Sequence, residues 1–201
     1  MPFLPVDAQT ELRPIEREHT RDLFELLKGN REYLRRWHPW VDILQSAGDV
    51  EKGIIAWQML QAEQRGMFFG VWFQDRLCGM LNHQNLDWPN RWSALSFWLD
   101  QAHQGRGIIT RCCRALITQA FETLELNRIT IECATQNDRS RAIPKRLGFH
   151  LEGVIRGVEM LHGRPIDHAM YGILRSEWNQ QGSSEEFGLT MRPAALTAAT
   201  A

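Results

Sequence analysis

Gln104-Gly105-Arg106-Gly107-Ile108-Ile109-Thr110 lies between an apolar, β-rich run, Phe97-Trp98-Leu99, and an amphipathic stretch that reaches residue 124. Glycines at a strand-to-helix junction let the chain turn sharply and aim several backbone N–H groups into one concavity at a helix N-terminus. Those N–H groups and the helix dipole favour an anion, and a diphosphate suits the geometry. A simple tight turn needs the same glycines, so the loop alone leaves both readings open. It is not a Walker loop, because no Gly-Lys-Ser/Thr follows, and its glycine spacing does not fit the dinucleotide fingerprint.

On the C-terminal side the pattern predicts a helix to 124, a strand over 128–133, a short helix over 140–147 and two strands on either side of Gly163. A strand, helix, strand order implies a parallel pair. On the N-terminal side, runs at 67–73, 77–82 and 93–99 are separated by turn residues at Asp75-Arg76 and Trp88-Pro89-Asn90, which predicts an antiparallel meander. Before it, residues 11–15 read as a short edge strand. His19-Thr20 opens a helix with Leu23, Phe24, Leu26 and Leu27 on one side, and Gly29-Asn30 closes it. Further helices are expected over 31–40 and 49–64, the second stopped by Gly66.

The chain has 201 residues, 43% hydrophobic and 23% charged, which predicts one soluble domain over 1–179 and a disordered tail over 180–201. A domain of that size buries roughly 70% of its unfolded surface and needs no metal or disulfide to hold a core. Cys78, Cys112, Cys113 and Cys133 form neither a CxxC pair nor a zinc-spaced array and read as buried thiols of a cytoplasmic protein. No stretch approaches the roughly 20 apolar residues of a membrane span. A net charge of −1 argues against a nucleic-acid partner, while the basic run from Arg106 to Arg146 suits a small local anion. A solvated helix face accounts equally well for any one of these arginines.

The glycine loop also resembles the acetyl-coenzyme A motif of the GNAT superfamily, Gln/Arg-x-x-Gly-x-Gly/Ala. Gln104 and Gly107 match, and Ile109 departs from the usual Gly or Ala. A bulky residue there resembles the branch that acetylates ribosomal-protein N-termini at alanine or serine. So do Phe97-Trp98-Leu99-Asp100, Leu126-Asn127-Arg128, Asn137-Asp138-Arg139-Ser140, Leu147-Gly148-Phe149, Glu152-Gly153 and Glu159-Met160-Leu161-His162-Gly163. The resemblance spans about residues 11 to 178.

It implies an α/β (α+β) GNAT fold, with a twisted, mostly antiparallel central sheet splayed at one parallel strand pair and flanked by helices. It implies acetyl-coenzyme A as cosubstrate, no metal, and direct attack of an amine in a ternary complex. Gln104, Gly105, Arg106, Gly107, Ile108, Ile109 and Thr110 would hold the diphosphate, Asn137 the cofactor arm, and a strand-end N–H near Leu99 the thioester carbonyl. Many relatives carry a glutamate base on the strand before the loop, where this chain has Ala94-Leu95-Ser96. Glu159 then becomes the candidate base, against the reading of a surface glutamate on a hairpin. Pro144 stands where many relatives have a tyrosine acid, so Ser140 is the candidate thiolate partner, although it would also serve as an N-cap for the following helix.

Tyr33, Trp37, His38 and Trp40 resemble the acceptor wall of that branch as a group, although each aromatic alone is more often core than ligand contact. An α-amine is roughly 3 kcal/mol easier to neutralise at pH 7 than a lysine side chain, so a protein N-terminus suits a modest base. A small amine of similar basicity, such as an amino acid, polyamine or aminoglycoside, stays open, as does a non-catalytic acetyl-coenzyme A-binding module. A homodimer is also left open.

Overall fold

The computed structural model describes residues 3–182. One eight-stranded sheet runs β1 (Leu4–Asp7), β2 (Thr10–Pro14), β3 (Met67–Phe73), β4 (Arg76–Asp87), β5 (Trp92–Leu99), β6 (Arg128–Ala134), β8 (Arg164–Leu174), β7 (His150–Leu161) in spatial order. β5 and β6 are parallel and the other neighbours antiparallel, as expected. The central strand β3 is apolar on both faces because Phe69 and Val71 enter one core cluster while Phe68 enters the other.

On one face lies α3 (Ile108–Glu122), which buries Ile108, Cys112, Cys113, Leu116, Ile117, Ala120 and Phe121, a stripe of helical period. On the other face α1 (Thr20–Leu34) and α2 (Ala47–Ala62) pack through Leu23, Leu27, Leu34, Val50 and Ile54 against Phe68, Met80 and Trp98. α4 (Asp138–Arg146) follows β6, and α5 (Arg175–Gly182) docks Trp178 on Phe121, with its Nε1 donating to Thr118 Oγ1 at 3.1 Å. All four cysteines are free and buried, and burial pushes the Cys78 thiol up to about 12.

Three expectations need correction. The segment 11–15 lies inside the sheet, because β1 pairs along its outer side. Gly29-Asn30 does not end a helix. α1 continues through both residues to Leu34, absorbing the first turn of the second helix expected over 31–40, and a separate short 3-10 turn follows at Pro39–Asp42. Asn30 is tolerated there because its Nδ2 donates to Leu26 O at 2.9 Å and its Oδ1 accepts from Gln101 N at 3.0 Å. Third, residues 180–182 continue α5, and the rest of the predicted tail lies outside the described residues.

Candidate active site

The parallel pair is where the sheet opens. β5 and β6 are paired from Trp92↔Arg128 to Leu95↔Ile131 and no further, while β5 stays with β4 to Leu99 and β6 stays with β8 to Ala134. The last residues of β5 and β6 therefore splay apart, leaving main-chain groups unpaired across the gap. Gly79 supports the β4 side of this opening: a Cβ there would lie 2.4 Å from Trp98 O.

A cleft of about 890 Å³ occupies the splay and the space beside it. One wall is the glycine loop. Gly105 and Gly107 sit at φ of 75° and 69°, the left-handed region, and Gly107 is the N-cap of α3. The N–H groups of Ile108, Ile109 and Thr110 fall in the first turn, where a helix has no internal acceptor for them. The loop is strapped from behind, because Arg111 donates from Nη1 to Arg106 O at 3.0 Å and from Nε to Asp7 Oδ2 at 2.7 Å. Ile109, in the first turn of α3, packs partly against the core and also lines the cleft. These features fit a diphosphate-bearing ligand.

Gln104 links three elements at the cleft wall. Its Nε2 donates to Tyr33 Oη on α1 and, at 3.4 Å, to Leu99 O, while its Oε1 accepts from Arg139 Nη1 at 2.5 Å. Opposite the loop, Asn137 caps α4 by accepting Ser140 N at 3.1 Å. The cap is thus Asn137, and Ser140 sits in the first turn with its hydroxyl donating to Cys133 Sγ at 3.3 Å. Pro144 lies buried in the last turn of α4, so no phenol stands there.

Residues 9–150 match the acetyltransferase (GNAT) domain. The chain belongs to the GNAT acetyltransferase family. This acetyltransferase is 37% identical over 174 residues to YdaF of Bacillus subtilis (strain 168), a protein provisionally named a ribosomal N-acetyltransferase, with 86% of this chain and 95% of the relative covered. It is 29% identical over 168 residues to the ribosomal-protein-serine acetyltransferase of Escherichia coli (strain K12), with coverage of 84% and 94%. Among solved structures, RimL, the ribosomal L7/L12 alpha-N-protein acetyltransferase in complex with coenzyme A, superposes with a TM-score of 0.84 at 26% identity, covering 86% of this chain and 98% of that one.

Of the residues singled out from sequence, the acetyltransferase cleft is lined by Tyr33, Trp37, His38, Leu99, Gln104, Gly105, Gly107, Ile108, Ile109, Thr110, Asn137 and Ser140. Arg106 contributes its carbonyl to the strap on the loop rather than to the lining. Trp40 stands one layer back, tilted between the rings of His38 (5.7 Å) and Trp98 (6.5 Å). His38 is half-buried, and burial pushes it down to about 4, so it is neutral at neutral pH. Glu159 lies outside this lining, on the β7–β8 hairpin, with its Oε2 3.0 Å from His168 Nε2. Phe97, Trp98, His103 and Arg146 also line the cleft, although the sequence singled out none of them as a site residue. Arg146 was visible only as one cation in a basic run, and Phe97 and Trp98 only as part of a shared strand motif.

The same geometry explains two of the shared motifs as structural. Arg128 and Glu152 form a two-pronged ion pair, both contacts at 2.5 Å, and the guanidinium holds the Glu152 carboxyl below the usual carboxylate range. The pair crosses over Gly172, where a Cβ would meet Glu152 Oε1 at 2.2 Å.

Proposed function

We propose that this enzyme transfers the acetyl group of acetyl-coenzyme A to the α-amine of a protein N-terminus, with a ribosomal protein as the preferred acceptor. The observation that carries the acceptor class is the chemistry of the cleft. Its lining holds a single carboxylate, Asp138, beside Arg139 and Arg146, and the two glutamates on the hairpin side, Glu159 and Glu132, both face His168. A polyamine or aminoglycoside carries several cations and calls for a carboxylate-rich site, whereas a peptide N-terminus brings one. Relatives named for ribosomal-protein acetylation that align along nearly their whole length support the same reading. A ribosomal acceptor agrees with a cytoplasmic enzyme.

The loop at Gly105 to Thr110 would hold the diphosphate, and the splayed edges of β5 and β6 would pair with the pantetheine arm as with an added strand. When bound, the cosubstrate supplies an activated acetyl thioester. A main-chain N–H near Leu99 is suited to stabilise the carbonyl oxygen as it gains charge. The amine must approach from the α1 face, which is bounded by Trp37 and His38 and bridged by the hairpin, where His162 Nε2 lies 2.8 Å from Arg35 O. Glu159 on that hairpin takes the amine proton, directly or through a water. The Ser140 hydroxyl, at the N-terminal turn of α4, serves the departing thiolate.

Thiol release measured across peptides with different first residues, polyamines and aminoglycosides tests the acceptor. Peptide acceptors should exceed the small amines in kcat/KM, and a preference for spermidine would refute the proposal. Glu159→Gln should lower turnover roughly 10²- to 10⁴-fold at neutral pH. That deficit should shrink as pH nears the α-amine's own range of about 7.7 to 8.0, where the amine arrives already neutral.

A further inference from the structure

Glu159 does not stand alone. His168 on β8 lies between two carboxylates, with Nδ1 2.7 Å from Glu132 Oε1 and Nε2 3.0 Å from Glu159 Oε2. The Glu159 contact is close but off the ring N–H axis, a loose arrangement common in catalytic contacts before substrate binds. Both glutamates are about one-third exposed, and the imidazole between them is 15% exposed.

The backbone is arranged to bring these three together. Register places Ala134 opposite His168 and Glu132 opposite Met170, so Glu132 and His168 project from one face of the sheet. Ala94↔Thr130 puts Trp98 of β5 on that same face, the one that receives α1. Glu132 is also the first β6 residue beyond the last β5–β6 pair, Leu95↔Ile131, so it sits at the fork of the splay.

On the far side, β7 is bulged. Four residue steps, Ile155 to Glu159, span the two steps from His168 to Ile166. Gly157 makes the bulge possible at φ 60°, with its N–H donating to Asp167 Oδ1 at 2.8 Å. A regular strand would put residue 157 opposite Ile166. The bulge instead delivers Glu159 there, within reach of His168, as bulges beside active sites commonly re-aim a side chain.

We propose that His168, itself fixed by Glu132, is a positioning residue that orients the Glu159 carboxylate toward the acceptor amine. This rests on Glu159 being the proton acceptor. Both carboxylates only accept, so holding the two takes the imidazolium, with Nδ1–H donated to Glu132 and Nε2–H turned to Glu159; in that form the ring has one orientation and Glu159 is spared a search among rotamers at an exposed hairpin.

The test is a double-mutant cycle on the full-length enzyme, read in kcat and in KM for acetyl-coenzyme A and a peptide acceptor. His168→Leu should lower kcat roughly 10- to 100-fold, by analogy with the loss of groups that orient metal ligands. KM for acetyl-coenzyme A should stay within about twofold, because the diphosphate loop is untouched. His168→Gln keeps an amide N–H near the position of Nε2 and should recover most of the loss. In Glu159→Gln the further change His168→Leu should cost less than about threefold, since the group being oriented is already gone.

Circular dichroism and unchanged cofactor affinity establish that the variants are folded. A slow Glu159→Gln enzyme beside a His168→Leu enzyme of normal kcat would overturn the positioning role and leave Glu159 as the base. Losses that multiply in the double variant would overturn it as well. A Glu159→Gln enzyme of near-normal turnover would remove the assignment of Glu159 itself, and the inference with it.

Discussion

Replacing Gly107 by valine should separate the fold from cofactor binding, and its size can be worked from the backbone. At φ 69° an L-residue costs about 1–2 kcal/mol, and β-branching adds to that. The new Cβ would also lie 3.1 Å from Arg111 Nη1, the end of a flexible side chain that holds the loop through Arg106 O and Asp7. Together these predict a loss of about 2–3 kcal/mol, which urea unfolding would read as a lower midpoint at unchanged slope. Gly105→Val provides the control, because φ there is 75° but no atom lies within 4 Å of its Cβ, so it should show the strain alone. Gly107→Asn tolerates the left-handed backbone and should unfold within about 1 kcal/mol of the parent, while still placing a side chain at the diphosphate site. Calorimetric titration with acetyl-coenzyme A should then find both Gly107 variants weakened by tenfold or more, about 1.4 kcal/mol in binding. A folded Gly107→Val or Gly107→Asn enzyme that binds acetyl-coenzyme A with the parent affinity would refute the assignment of this loop to the diphosphate.

Asn30→Ala removes two hydrogen bonds of a buried side chain that joins α1 to the chain leaving β5, and should destabilise by about 1–2 kcal/mol. Because Gln101 loses its anchor three residues before Gln104, KM for acetyl-coenzyme A should rise with little change in kcat. Unaltered stability and KM would show that the bridge is dispensable. His83 is fully buried with Nδ1 2.7 Å from Ser93 Oγ, and burial pushes it down to about 4 from its ordinary 6.5. The unfolded chain therefore binds this proton first, so the stability is complete above about pH 6.5 and is lost as pH falls toward 4, reaching about 3 kcal/mol. His38 acts with the same sign and, being half-exposed, with smaller effect. Urea unfolding from pH 7 to 4 should show this decline in the parent and a flatter curve in His83→Gln, and equal slopes would refute it.

The sequence by itself determined what depends on near neighbours. The amphipathic period of α3, the turn between β3 and β4 and the glycine loop before α3 are set within a few residues, and each was legible. The turn itself falls at Gln74-Asp75, one residue before the expected Asp75-Arg76, because Arg76 already pairs with Phe73. The order of elements that dictates a parallel β5–β6 pair was legible too, along with the shared motifs that mark the family. The structure alone decided what depends on partners far along the chain. Gly29-Asn30 carries a local stop signal, but tertiary contacts on both sides of Asn30 keep α1 running, because burying Leu34 and meeting Gln101 outweigh a weak local preference. Ser140 looked like a cap until Asn137 was seen to fill that position. Glu132, His168 and Glu159 come from three strands and meet only after two registers and a bulge are fixed, and no pattern within any one strand encodes that meeting. The splay itself has the same origin: β5 follows β4 and β6 follows β8, and the cleft lies where those two loyalties part.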